Sequence, residues 1–115
     1  LLAKGSSIDA SVVSAAQALA MASLIGARAL GIDNKVGSIE PGKQADLIAI
    51  DLEHPRTQPV YDPCSTLTYS AAASQISHVW VDGQALVVNH QLTRMDLAQV
   101  LEEARRWGAG IAAGA

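Results

Sequence analysis

Gly37-Ser38-Ile39-Glu40-Pro41-Gly42-Lys43-Gln44-Ala45-Asp46-Leu47-Ile48-Ala49-Ile50-Asp51 decides the fold, because it reads as a tight turn feeding straight into a strand. Pro41 holds φ at about −65°, as the second position of a β-turn requires, and Gly42 can take the positive φ of a type II third position. From Ala45 to Ile50 every residue except Asp46 is apolar. That run predicts a strand covered on both faces rather than one with a wet face. A sheet therefore begins near residue 45, with helices before it and a hairpin after it.

Downstream, His78-Val79-Trp80-Val81-Asp82-Gly83-Gln84-Ala85-Leu86-Val87-Val88 predicts a hairpin, Asp82-Gly83 being a preferred pair for a two-residue type I′ turn. Alternation puts Val79 and Val81 on one face and His78 and Trp80 on the other. Asn89-His90-Gln91 ends the second arm. Between the strands, Pro55, Pro59 and Pro63 prevent a long regular element. Asp62-Pro63, an N-cap followed by proline at the first helical position, predicts a short helix over 63–69. Ala71 to Ser74 leads into the second strand. The last element is a helix capped from Thr93 or Asp96. Its Leu97, Val100, Leu101, Ala104, Trp107 and Ile111 form one apolar stripe, with Glu102, Glu103, Arg105 and Arg106 in water. Gly108, Gly110 and Gly114 predict fraying after Trp107.

Upstream, Leu1-Leu2-Ala3-Lys4-Gly5 looks like the last turn of a helix closed by glycine. With no Met ahead of it, the chain reads as the C-terminal piece of a longer protein. Asp9 or Ser11 is expected to cap a helical turn reaching residue 13. Ser14-Ala15-Ala16-Gln17 has the form of a capping box, and Ala15 to Leu30 is rich in good helix formers. Gly26 inside that run predicts a kink or break near 23–25, and Gly31 closes it. The segment is apolar on more than one side, so it wants neighbours on two faces.

The chain has 115 residues, half of them hydrophobic, and a formal net charge of −3. That length is enough to bury a core. No basic cluster beyond Arg105-Arg106 favours nucleic acid, and no apolar run approaches the roughly 20 residues of a membrane span. The single cysteine, Cys64, rules out an internal disulfide and fits the reducing cytoplasm. His54, His78 and His90 sit in separate elements with no metal-ligand spacing. Cys64 carries no mark of a nucleophile and reads as a packed or partly exposed thiol. Asp46 and Asp51 bracket a strand as solvating ends. Arg28 reads as a surface salt-bridge residue, and Trp80 and Trp107 as packing anchors rather than ligand platforms. The sequence thus offers no catalytic, cofactor-binding or metal-ligating residue.

Gly26-Ala27-Arg28-Ala29-Leu30-Gly31 and Val36 to Ile48 resemble the C-terminal signature of the metal-dependent amidohydrolase superfamily, and Val79-Trp80-Val81-Asp82-Gly83 resembles the strand and turn that follow it. Pro59-Val60-Tyr61-Asp62-Pro63-Cys64-Ser65-Thr66-Leu67 with Tyr69, and Leu92-Thr93-Arg94-Met95-Asp96, resemble the chlorohydrolase/deaminase branch, most of all its 5-methylthioadenosine/S-adenosylhomocysteine deaminases. The resemblance runs from Leu1 to about Ile111.

It implies an α/β fragment: residues 1–34 as closing helices of a (β/α)8 barrel, 35–92 as the C-terminal part of a small composite β-sandwich, and 93–115 as a C-terminal helix laid on the enzyme body. For the parent protein it implies an aminohydrolase, in which a zinc or iron ion activates the water that displaces ammonia from an adenosine-type substrate. The metal ligands it implies lie upstream of Leu1, so the 115-residue chain alone is expected to be inactive and to bind no cofactor. The implied partners are the rest of the parent polypeptide, a small-molecule substrate and a second copy in a homodimer, with no nucleic acid and no membrane. A related hydrolase (guanine deaminase or triazine/chlorohydrolase type) and a non-enzymatic α/β interaction module are the alternatives.

Overall fold

The structure is a computed structural model that describes residues 2–9 and 11–114. In chain order it contains α1 (Leu2–Ser7), α2 (Ala15–Ala20), a π-helical turn (Met21–Ile25), α3 (Gly26–Ala29), β1 (Leu47–Ile50), α4 (Pro63–Tyr69), a 3-10 turn (Ala73–Gln75), β2 (Ile76–Val81), β3 (Gln84–Val88), β4 (Gln91–Leu92) and α5 (Leu97–Ala113).

The helix expected to close at Gly5 continues through it, while Leu1 lies outside the described residues. The Ser6 and Ser7 hydroxyls donate to the Ala3 carbonyl at 3.2 and 2.7 Å, and the reversal comes at Ile8, with φ of 54°. No helix forms over 11–13 either. The Asp9 carboxylate accepts from the Ser11 amide at 2.8 Å and its hydroxyl at 2.6 Å, a local turn that uses the groups a helix cap would use.

The capping box does form. The Gln17 amide donates to Ser14 Oγ at 3.2 Å and the Ser14 amide to Gln17 Oε1 at 2.8 Å. Where a kink or break was expected near 23–25, the helix widens into the π-turn and continues as α3. A Cβ at Gly26 would lie 3.1 Å from the Met21 carbonyl oxygen, so glycine gives the wider turn its room. Gly31, at φ of 69°, ends the helix. The Gly31 amide bonds the Arg28 carbonyl and the Ile32 amide the Ala27 carbonyl, each at 3.0 Å, the pair of contacts of a Schellman motif. The following loop folds back onto the π-turn: at Gly37, with φ of 95°, a Cβ would lie 2.8 Å from Ala27 Cβ and 3.0 Å from Leu24 Cα.

The Pro41-Gly42 turn forms as expected, with Gly42 at φ of 91° and the Lys43 amide donating to the Glu40 carbonyl at 3.2 Å. The four strands make one antiparallel sheet in the order β1-β2-β3-β4. Asp82 and Gly83, at φ of 50° and 73°, form the tight hairpin turn. Asn89 and His90, at φ of 50° and 65°, form a second one, so the arm expected to end at 89–91 returns as β4. Ile48 pairs with Val79, Val79 with Val87, and Val87 with Leu92. That apolar row crosses one face of the sheet. Ile48 is 57% exposed, which corrects the expectation that β1 is covered on both faces within these residues.

Asp62 caps α4 as predicted, and α4 lies on α2, where the Thr68 hydroxyl donates to the Ala15 carbonyl at 3.3 Å. Asp96 caps α5 through the Ala98 and Gln99 amides at 2.9 and 3.2 Å. α5 does not fray after Trp107. Its backbone ladder carries through Gly108 and Gly110 to Ala113, because two glycines in 17 residues cost propensity without removing a hydrogen bond. The α5 stripe is uncovered, and Trp107, expected to anchor packing, is 75% exposed.

Among the described residues Ala27 is the one apolar residue that is buried; the other buried residues are Thr57, Thr66 and Gln75. The accessible surface is 8684 Å², against about 5,900 Å² for a compact chain of this mass. The radius of gyration is 18.6 Å, against about 13 Å for a compact domain of this length. Length alone predicted a self-contained core; the chain instead forms an open framework. Among the described residues no helix is long and apolar enough to cross a membrane.

Candidate functional site

An open cleft of about 410 Å³ lies between the irregular segment after β1 and α4, lined by Arg56, Gln58, Tyr61, Asp62, Ser65 and Tyr69 among others. Its floor rests on a buried polar node. Gln75, 3% exposed, donates from Nε2 to the Asp51 carbonyl at 2.8 Å and to Thr57 Oγ1 at 3.1 Å, while its Oε1 accepts from the Ala72 amide at 3.0 Å. The Thr57 hydroxyl in turn donates toward the Leu52 and His54 carbonyls at 2.9 and 3.0 Å. Among the described residues no buried side-chain polar atom is left without a partner. The node is structural: it ties the loop, the 3-10 turn and the end of β1 together and offers no free group to a ligand.

Asp62, at the cleft edge, is committed in the same way. Its Oδ2 accepts from the Ser65 hydroxyl at 2.6 Å and amide at 3.0 Å, and its Oδ1 from the Cys64 amide at 3.2 Å. These bonds, the Ser65 hydroxyl foremost, hold its carboxyl below the usual aspartate range. Asp9 is lowered chiefly by the Ser11 hydroxyl, and Glu40 by the Ser38 hydroxyl and then Lys43. Each of these three is held ionised. A general acid at neutral pH needs the opposite shift.

The histidines stay apart. His54 Nδ1 accepts from the Arg56 amide at 3.1 Å. The His78 ring stacks on Trp80, with centroids 5.3 Å apart and planes at 7°, and its Nδ1 lies 3.0 Å from Ser77 Oγ. His90 sits in the β3–β4 turn. Cys64 is a half-buried free thiol in the first turn of α4. Among the described residues no three His, Cys, Asp or Glu side chains converge on a point that could hold a metal ion.

Arg28 pairs with Asp33 at 3.5 Å on the surface. Asp46, read as a solvating strand end, has a positional role instead: its Oδ1 accepts from the Asp82 amide at 2.7 Å, and the Gly83 amide donates to the Ala45 carbonyl at 3.1 Å. The hairpin turn is thereby clamped to the entry of β1. The signal was a lone carboxylate in an apolar run. Asp51 similarly accepts from the Glu53 amide at 2.8 Å. Gln75 and Thr57 carried no such signal.

Over residues 2–86 the sequence matches the amidohydrolase family. A 5-methylthioadenosine/S-adenosylhomocysteine deaminase of Teredinibacter turnerae is 42% identical over 99 residues, 86% of this chain and 22% of that protein. One of Saccharophagus degradans is 38% identical over 113 residues, 98% of this chain and 25% of that protein. The crystal structure of an adenosine deaminase from Xanthomonas campestris with bound zinc superposes with a TM-score of 0.92 at 43% identity, over 97% of this chain and 26% of that one. An atrazine chlorohydrolase of Arthrobacter aurescens in complex with zinc superposes at 0.74 with 30% identity, over 82% of this chain and 20% of that one. The chain thus spans about a quarter of the length of the curated relatives it matches.

Proposed function

The chain belongs to the amidohydrolase family, and from that premise we propose that it is the architectural C-terminal portion of a longer aminohydrolase acting on an adenosine-type substrate, 5-methylthioadenosine or S-adenosylhomocysteine. In this reading residues 1–34 close a (β/α)8 barrel, 35–92 form the C-terminal share of a composite β-sandwich, and 93–115 add a C-terminal helix laid on the enzyme body. The observation that carries it is the superposition of 97% of this chain, at a TM-score of 0.92, on a quarter of a zinc-bound adenosine deaminase. The apolar row Ile48, Val79, Val87, Leu92, exposed at its two ends, supports the sandwich, since an apolar sheet face calls for a second layer.

The chemistry falls to the remainder of the polypeptide. Zinc is the favoured ion there, because the superposed relatives hold it; iron is the alternative. No residue from 2 to 114 is assigned a step. The triazine hydrolases supply the second reading, at lower identity and coverage.

The test is the full-length parent, purified and analysed for metal, with ammonia release followed from 5-methylthioadenosine, S-adenosylhomocysteine and guanine, and chloride release from atrazine. Deamination of the two nucleosides at least tenfold faster than turnover of the others is expected. Chloride release with no nucleoside deamination overturns the substrate reading, and turnover of nothing favours the interaction module. Light scattering on the same preparation reads the proposed homodimer, and cell fractionation the proposed cytoplasmic location.

A further inference from the structure

We draw no further inference here: the strongest candidate, the apolar stripe of α5 formed by Leu97, Val100, Leu101, Trp107 and Ile111, lies uncovered within this chain, and nothing in the structure shows whether another part of a longer polypeptide or a second copy covers it.

Discussion

Gly37 packs against Ala27 so closely that a Cβ placed on it would lie 2.8 Å from the Ala27 Cβ, with Leu24 Cα at 3.0 Å behind it. The loop that leads to the sheet is thus seated in the π-turn by a residue without a side chain. Gly37→Ala in the full-length polypeptide combines a left-handed φ with overpacking and is expected to destabilise by about 2–4 kcal/mol. Gly42→Ala separates the two effects. Its φ of 91° is as unfavourable, but a Cβ there meets nothing within 4 Å, so about 1 kcal/mol is expected. Urea midpoints of the two variants check this, and equal losses would show that the seat against Ala27 contributes nothing.

Gln75 is the node on which three segments depend. Gln75→Ala strands the Ala72 amide and the Asp51 carbonyl, for a loss of about 2–4 kcal/mol. Gln75→Glu keeps the shape but turns a carboxylate toward the Asp51 carbonyl that Nε2 now serves at 2.8 Å. Its stability is expected to improve as the pH falls from 7 to 5, the reverse of an ordinary surface glutamate. Thermal unfolding at the two pH values reads the difference.

Asp62 gives a pH signature of the other sign. Its carboxyl is lowered on folding, by the Ser65 hydroxyl first, so its contribution is complete above the unfolded value of about 3.9 and is lost as pH falls through the folded value. Asp62→Asn keeps a capping oxygen but does not titrate. Wild type is expected to exceed this variant in unfolding midpoint at pH 6, with the gap closing as the pH falls below about 3.9. A gap that stays constant across that range overturns the assignment.

The 115-residue chain expressed alone is expected to self-associate and to bind an apolar dye, because its exposed surface exceeds that of a compact chain by nearly half. Sedimentation and small-angle scattering decide the matter. A monomer that unfolds cooperatively, with a radius of gyration near 13 Å rather than 18.6 Å, would show that the framework closes on itself.

What the sequence revealed was local. Asp62-Pro63 placed α4 over 63–69, Ser14 and Gln17 placed the start of α2, and Pro41-Gly42 and Asp82-Gly83 placed their turns, because each signal and its consequence lie within four residues. Gly5 misled, since the serine hydroxyls one and two positions after it bond back to the Ala3 carbonyl as the helix runs past it. The π-turn was read only as a weakness at Gly26. Its contact partner, Gly37, is thirteen residues from Leu24 and invisible to any helical periodicity. Asn89-His90 was missed as a turn because it lacks the glycine that marks a two-residue hairpin turn such as Asp82-Gly83. The candidate site follows the same division. Family membership was legible in short signatures, while the Thr57–Gln75 node, eighteen residues apart, has no sequence mark. The coverage of Ile48 was misjudged because a hydrophobic pattern records burial in the assembled protein, whichever segment supplies the cover.

The π-turn between Met21 and Ile25 has a consequence for length variation in this helix. A π-turn holds about one residue more than an α-turn, and each residue advances the bearing of the side chains by about 100°. Removing one residue there would leave a regular ladder and barely shorten the rod, and because the turn would still close one full circle, Ala27 would keep its bearing toward the loop it now receives. A single deletion at this point is absorbed, whereas one in the flanking α-helical turns would rotate everything downstream by about 100°.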